Sequence, residues 1–282
     1  MLLDAVRSEL LRFSRNTTTW IWALLVIPLG TAIVGIFTRQ FLQTALTKAA
    51  RDLPANLGLP KSALNLGDII TDQTAQLAGI NLLAFFLIAA AVITASDYRW
   101  ESWRLIRPRN SRRNLILGKA LAIAIIALIP LGLYLLCETL GRIISASLEN
   151  RPIVLGFEPE QFGATVLMFG VAWLRALQVS GLALLAGVAT RSIFSGYLVP
   201  IAFSVGTFMV AGMLSGFGWG PDQWRTLLLF PAKAHDTLQA ALAGGPVSSA
   251  TTVKAMIGLA LWLVAPPALA VWLFERQDLS KE

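Results

Sequence analysis

The sequence predicts an all-α polytopic membrane protein with six transmembrane helices. The 282 residues are 56% hydrophobic and only 14% charged, whereas soluble domains are about 25% charged. The mean hydropathy is +0.66, and the apolar residues fall in runs long enough to cross a bilayer, which needs about 20 residues. The basic residues cluster between alternate runs. A chain of this kind requires lipid as its solvent.

The first fifteen residues predict an amphipathic helix lying in the membrane interface. Apolar side chains recur at helical spacing on one side, and charged side chains fall largely on the other. The apolar set is Leu2, Leu3, Val6, Leu10 and Phe13. Such a helix can serve only as an anchor, or it can also contact a cytoplasmic partner. We expect no cleavable signal peptide, because the first apolar run is long and lacks a small-residue cleavage site.

Six apolar segments follow, and each is long enough to cross the hydrocarbon core. Prolines occur in or near several of them, which membrane helices tolerate because neighbouring groups satisfy the freed carbonyls. The predicted spans cover about residues 17–38, 74–96, 117–137, 162–189, 193–218 and 255–274.

The distribution of basic residues predicts that both termini are cytoplasmic. With that orientation the inner segments carry 13 of the 23 Lys and Arg residues, and the much longer outer segments carry nine. Cytoplasmic loops of membrane proteins show this excess. The net charge of +7 therefore follows from topology, and a nucleic-acid partner is not needed to explain it. The inner segments are 1–15, 97–119, 191 and 275–282.

The segment 97–119 between the second and third spans holds seven of the basic residues. Trp100, Trp103 and neighbouring arginines predict a short surface helix that ends before Pro108, because the residue before a proline is biased away from helix. Binding of anionic lipid head groups would explain the arginines alone. Lipid binding explains less well the order in which an acidic start, an aromatic helix, a proline, Ser-Arg and Gly118-Lys119 follow one another.

No motif for chemistry accompanies this segment. The sequence has no phosphate-binding loop, no HExxH motif and no cysteine ligand set, since Cys137 is the single cysteine. His235 is also single, and we expect it to be solvated or hydrogen-bonded. The spans carry no string of acidic residues and histidines suited to a proton relay. If the protein moves a substrate, the energy must come from another chain.

The segment resembles the loop after span two in permease subunits of type-two ATP-binding-cassette (ABC) exporters. Those subunits also have six spans, cytoplasmic termini and an amphipathic helix before span one. Glu101-Ser102 stands where the family commonly has Gly-Thr, and Asn110 is an added residue. The matching residues, in order, are Asp97, Arg104, Pro108, Ser111-Arg112 and Gly118-Lys119.

The resemblance implies that residues 97–116 form a coupling loop on a separate ATPase subunit, with Trp103 as its apolar anchor. The chain itself would need no cofactor, since ATP and Mg would bind the partner. It also implies a second permease copy or a related permease, contact with membrane lipid and no nucleic acid, in a bacterial inner (plasma) membrane. The ATPase-coupling residues would be Asp97, Trp100, Glu101, Trp103, Arg104, Arg107 and Arg112.

In this family spans two and five line the translocation path between two permease halves. The resemblance therefore implies lining residues on both spans. Gly212 and Gly216 have GxxxG spacing, which permits close helix packing within the chain or against a second copy. The candidate lining residues are Asn81, Phe85 and Phe86 on span two, and Phe203, Thr207 and Met213 on span five.

Arg175 lies near the middle of the fourth span. A charge there costs roughly 3 kcal/mol or more, so the sequence predicts either a buried pair that fixes packing or a contact with substrate. The remaining spans hold no acidic residue, so a partner would come from a span end such as Glu138. Residues 219–254 predict an outer loop with an interfacial or re-entrant element.

The expected function is export of a substrate through a permease driven by ATP hydrolysis on a partner subunit. Two alternatives come from other classes. A membrane scaffold could dock a cytoplasmic protein at the same loop, and a lipid-modifying enzyme would need a cluster of catalytic side chains at one interface. The sequence contains no evident cluster of that kind, and it does not specify the substrate.

Overall fold

Six helices long and apolar enough to cross a membrane make up most of the fold. The computed structural model describes residues 2–50, 63–99 and 111–277. The number of spans agrees with the prediction. Spans 1 to 6 are Thr17–Ala45, Ile80–Tyr98, Arg112–Leu148, Pro159–Thr190, Ile193–Met213 and Ser249–Arg276.

Several spans differ in length from the predicted segments. The helix of span 3 has 37 residues and is about 55 Å long at 1.5 Å per residue, so it extends beyond a hydrocarbon core of about 30 Å. Span 2 begins at Ile80 rather than near residue 74. A separate helix, Leu66–Ala75, ends within the first residues of the predicted span, and a turn follows in which the Gly79 amide donates to the Gln76 carbonyl at 3.1 Å.

The N-terminal helix, Leu2–Arg15, packs against the start of span 3. It buries Ala5, Val6, Glu9 and Phe13. A Cβ atom at Gly118 would lie 2.7 Å from the Cβ of Ala5, which is closer than side chains tolerate. Glycine at this position lets the two helices approach, and the helix is therefore part of the bundle.

The last turns of span 6 reach the same end of the bundle as the N-terminal helix. Arg112, in the first turn of span 3, donates from Nη1 to the carbonyl oxygens of Phe274, Glu275 and Gln277 at 3.3, 2.9 and 2.7 Å. The unpaired carbonyls at a helix end need such donors. We call this end of the bundle, with residues 2–15, 97–99, 111–119 and 274–277, the basic end.

The opposite end is joined by a short parallel strand pair. β1, Leu64–Asn65, pairs with β2, Ile153–Val154. Both strands belong to segments that the charge pattern predicts to be outside, whereas Leu2 and Gln277, the first and last described residues, lie at the basic end. This placement agrees with a chain that crosses the membrane an even number of times.

Two short helices follow span 5 and form a hairpin, Trp224–Leu229 and Pro231–Leu242. The hairpin occupies the segment predicted to hold an interfacial or re-entrant element. Trp262 of span 6 donates from Nε1 to the Leu228 carbonyl at 2.7 Å, and Gln239 donates from Nε2 to the Met168 carbonyl of span 4 at 3.1 Å. The helical hairpin is thus fixed to spans 4 and 6.

Burial differs strongly among the spans. Two thirds of the apolar window of span 4 is buried (67%), against 11% for span 5. Added Cβ atoms at Gly206, Gly212 and Gly216 of span 5 and its 3₁₀ extension would meet no atom within 4 Å. Packing within the described part of the chain therefore does not explain the GxxxG spacing.

Candidate functional site

Lys119 is the centre of a buried ion cluster at the basic end. Its side chain is 1% exposed. Nζ lies 2.7 Å from Oδ2 of Asp97 and 3.2 Å from Oε1 of Glu9, and it donates to the Ile93 carbonyl at 2.5 Å. A buried ammonium group has three donors and requires this degree of pairing.

Arg12 completes the cluster from the solvent side. Its Nη1 lies 2.8 Å from Oδ1 of Asp97 and 3.4 Å from Oε1 of Glu9, and its side chain is 40% exposed. Two cations thus face two carboxylates. The four residues come from the N-terminal helix, the end of span 2 and the start of span 3, so the cluster joins three elements around residues 97–119.

The start of span 3 is set by a local sequence signal, a serine at the N-cap position. Ser111 is the N-cap, and its hydroxyl accepts a bond from the Asn114 amide at 3.3 Å. Serine is among the preferred N-cap residues. The cap and the Arg112 bonds to span 6 set where the segment 97–119 returns to the bundle.

The predicted ATPase-coupling residues fall into two groups. Asp97 and Arg112 are described, at the two ends of the segment, and both are bonded within the chain: Asp97 to Lys119 and Arg12, Arg112 to the last turn of span 6. The others lie outside the described residues. They are Trp100, Glu101, Trp103, Arg104 and Arg107.

A second polar region lies in the other half of the bundle. A cavity of about 530 Å³ is bounded by spans 1 to 5 and the helical hairpin. Arg175 and Asn81, two of the predicted functional residues, both line it. Asn81 is exposed and Arg175 is 6% exposed. The structure therefore brings together one candidate path residue and the intramembrane charge.

The other candidate path residues are dispersed. Phe86 is buried in the central apolar cluster. Phe85 stacks on Trp22 with ring centroids 6.4 Å apart, and Phe203 lies 4.9 Å from the ring of Trp262. The Thr207 hydroxyl bonds the Phe203 carbonyl at 2.8 Å. The remaining candidate, Met213, is 63% exposed.

The suggested pairing of Arg175 with Glu138 is wrong. Arg175 Nη1 donates to Oε1 of Gln178 at 3.2 Å, whereas Glu138 lies 3.6 Å from Arg39 of span 1. The long helix of span 3 carries Glu138 toward the opposite end, beside span 1. Among the described residues, no carboxylate forms an ion pair with Arg175.

Sequence reasoning missed the contribution of the N-terminal helix to the ion cluster. Glu9 was not singled out, although it lies three residues after Val6 and four before Phe13, on the apolar side of the helix. An acidic residue at that position signals a buried cationic partner. His235 and Asp236, which also line the cavity, had no such signal because the helical hairpin folds back from outside the spans.

Comparisons with known proteins leave these two regions to be interpreted from their chemistry. No protein-family model, no curated protein sequence and no solved structure matches the chain. Among the described residues, no group of histidine, cysteine and carboxylate side chains could hold a metal ion.

Proposed function

We propose that the chain is the membrane-spanning permease subunit of an ABC exporter, driven by ATP hydrolysis on a separate subunit. The observation that carries the proposal is the ion cluster at the basic end. Glu9, Arg12, Asp97 and Lys119 tie the N-terminal helix to both ends of the segment 97–119. The proposal also rests on the order of residues within that segment.

The cluster gives the segment mechanical properties that an ATPase could use. Asp97 and Lys119 are almost fully buried and in direct contact, so a displacement of residues 100–110 would move the ends of spans 2 and 3 together. Arg112 extends the connection to the last turn of span 6. Packed helices respond to such a push by rigid-body motion between discrete arrangements.

The exposed, glycine-bearing surface of span 5 supports a second permease in the assembly. Its glycines at 206, 212 and 216 have no neighbour within 4 Å of an added Cβ, and most of the span is exposed. Small residues of this kind permit close approach of another helix. In this proposal two permease copies, or this chain and a related one, assemble with two ATPase subunits that bind ATP and Mg in a bacterial inner membrane.

Co-purification tests the proposal. The tagged chain is extracted from its native membranes in mild detergent, and ATP hydrolysis in the eluate is measured as released phosphate. We expect an ATPase subunit to co-purify, and the double variant Trp103→Ala/Arg104→Ala to lose most of that activity. The double variant Trp272→Ala/Arg276→Ala is the matched control, because both residues are exposed and lie outside the coupling loop 97–116.

Two results would contradict the transporter. If the wild-type chain retains no ATPase under conditions that preserve other membrane complexes, the proposal is wrong. If a cytoplasmic protein without ATPase activity is retained instead, and Trp103→Ala/Arg104→Ala releases it, the chain is a scaffold.

A further inference from the structure

The cavity in the half of the bundle away from the basic end combines apolar walls with a few polar side chains. Its volume is about 530 Å³, within the range of small-molecule sites. The apolar part of the lining comes from spans 1, 2, 4 and 5. It includes Ile27, Leu83, Leu87, Val179, Ile201 and Phe208.

Arg175 supplies a buried positive charge to this cavity. Only 6% of the surface of this residue is exposed. One N–H group bonds Gln178, whose own amide is directed to the Leu259 carbonyl at 2.8 Å. The other guanidinium N–H groups find no acceptor in the part of the chain that the structure describes. A guanidinium offers five N–H donors and cannot lose its charge readily, so the cavity holds unused donors.

Ser204 provides a second unpartnered group in the same cavity. Its hydroxyl oxygen is buried and has no hydrogen-bond partner among the described residues, although a helical serine can bond the carbonyl four residues earlier. Buried polar groups in proteins are nearly always satisfied. Two such groups from different spans, lining one cavity, indicate a polar ligand between them.

The mouth of the cavity carries the opposite charge. Asp236 lines it with a side chain 65% exposed, and its Oδ1 lies 3.2 Å from Nδ1 of His235. Gln76 and Asn81 are exposed lining residues on the same side. A small free anion would be repelled at the mouth and would gain little from the apolar walls, whereas an amphiphile can bring its anionic group to Arg175 while its chain packs along those walls.

We propose that this cavity binds an amphiphile with one anionic group, a phosphate monoester or a carboxylate, held by Arg175 and the Ser204 hydroxyl. This inference rests on the proposed function in naming the ligand as the exported substrate, but the binding site itself does not require an ATPase. Charge-assisted bonds to a buried guanidinium are among the stronger hydrogen bonds, and the cavity walls accept the hydrocarbon.

Binding to the purified chain tests the site. The protein is held in a neutral detergent, and native mass spectrometry measures the affinity for dodecyl phosphate, dodecanoate, monododecanoylglycerol and inorganic phosphate. We expect the two anionic amphiphiles to bind at least about tenfold more tightly than the neutral one. The tighter of the two identifies the head group, and inorganic phosphate should bind weakly because it lacks the chain.

Variants separate the site from general adsorption. Arg175→Gln should weaken binding of the anionic amphiphiles about tenfold or more, with Arg175→Lys intermediate. Arg276→Gln is the matched control, since Arg276 is an exposed arginine at the end of a span and does not line the cavity, and it should bind as wild type. Ala84→Phe fills part of the cavity without changing charge and should weaken binding even if Arg175→Gln fails to fold.

The outcomes distinguish this inference from the proposed function. Equal binding of neutral and anionic amphiphiles, or unchanged binding by both Arg175→Gln and Ala84→Phe, overturns the site even if an ATPase co-purifies. Selective binding lost in Arg175→Gln supports the site even if no ATPase co-purifies, and the transport role alone is then wrong.

Discussion

Lys119 and Arg175 are both cations buried inside a helical bundle, but their surroundings differ. Lys119 is 1% exposed and contacts two carboxylates and a carbonyl. Arg175 is 6% exposed and has one amide oxygen as its partner. The first cation is fully satisfied by the chain, and the second is not.

The number of partners that a buried cation has within the chain indicates whether the cation is structural or available to a ligand. Removing one partner of a buried ion pair leaves the other charge uncompensated, which is strongly destabilising. A buried cation that makes no ion pair is poorly compensated, so its removal should cost little in stability. The ion cluster at the basic end is therefore a structural connection, and the cavity is a place for a ligand.

The largest expected effect is that of Lys119→Met. The substitution leaves Asp97 and Glu9 side by side without their buried cation, and we expect the free energy of unfolding to fall by about 3–5 kcal/mol. Equilibrium unfolding in mixtures of SDS and neutral detergent, followed by tryptophan fluorescence, measures this change.

The control for Lys119→Met is Arg113→Gln, because Arg113 is exposed and lies in the first turn of the same helix. It should shift the free energy of unfolding by less than about 0.5 kcal/mol. A loss for Lys119→Met no greater than that of Arg113→Gln would show that the cluster does not hold the basic end together.

A smaller loss is expected at Gly258, where span 6 meets the helical hairpin. A Cβ atom there would collide with the carbonyl oxygen of Leu227, so Gly258→Ala should displace the hairpin. We expect a loss of about 1–3 kcal/mol in the free energy of unfolding, as for overpacked sites. Because the hairpin carries His235 and Asp236, the same variant should also weaken ligand binding in the cavity.

Gly163→Ala in span 4 provides the matched control for Gly258→Ala. Its added Cβ would meet no atom within 4 Å, and alanine favours helix over glycine by up to about 1 kcal/mol. Stability should therefore stay the same or rise. If Gly258→Ala behaves like Gly163→Ala, the hairpin is not packed against span 6 as described.

Arg12→Gln should cost less than either of these changes. Arg12 is 40% exposed, and exposed ion pairs contribute about 0–1 kcal/mol. Asp97 and Glu9 both keep their contacts with Lys119, so the two buried carboxylates still share a buried cation. The expected loss in the SDS titration is below about 1 kcal/mol, and it should shrink further in high salt. A loss as large as that of Lys119→Met would mean that Arg12 is the principal counterion.

The six spans could be predicted because about 20 apolar residues have few alternatives in a membrane chain. Their ends were harder to predict. The turn before Ile80 contains no charge, and the extension of span 3 to Leu148 carries polar residues that packing against span 1 accommodates. Hydropathy records neither effect.

In the ion cluster and in the cavity alike, the sequence predicts some of the residues but not the contacts between them. Asp97 and Lys119 could be singled out from their positions at the ends of a basic segment, but their contact with Glu9 depends on how the N-terminal helix folds back. Arg175 could be identified as an unusual charge. Its missing counterion could not, because the position of Glu138 depends on the length of span 3 and on Arg39.

The smallest effect on stability, and the sharpest contrast with Lys119, is expected for Arg175→Gln. Glutamine keeps a donor for Gln178 and removes a buried charge that makes no ion pair among the described residues. Without ligand, the free energy of unfolding should change by less than about 1 kcal/mol or rise, since an uncompensated buried charge is unfavourable.

Added dodecyl phosphate should then raise the free energy of unfolding of wild type more than that of Arg175→Gln. A ligand that binds only the folded state stabilises it according to its concentration and affinity, so wild type should gain stability with added dodecyl phosphate and Arg175→Gln should gain much less. Arg276→Gln removes the same charge from an exposed position outside the cavity, so it serves as the control and should respond to the ligand like wild type. A loss of several kcal/mol for Arg175→Gln without ligand would make Arg175 a second structural cation, and the contrast with Lys119 would no longer hold.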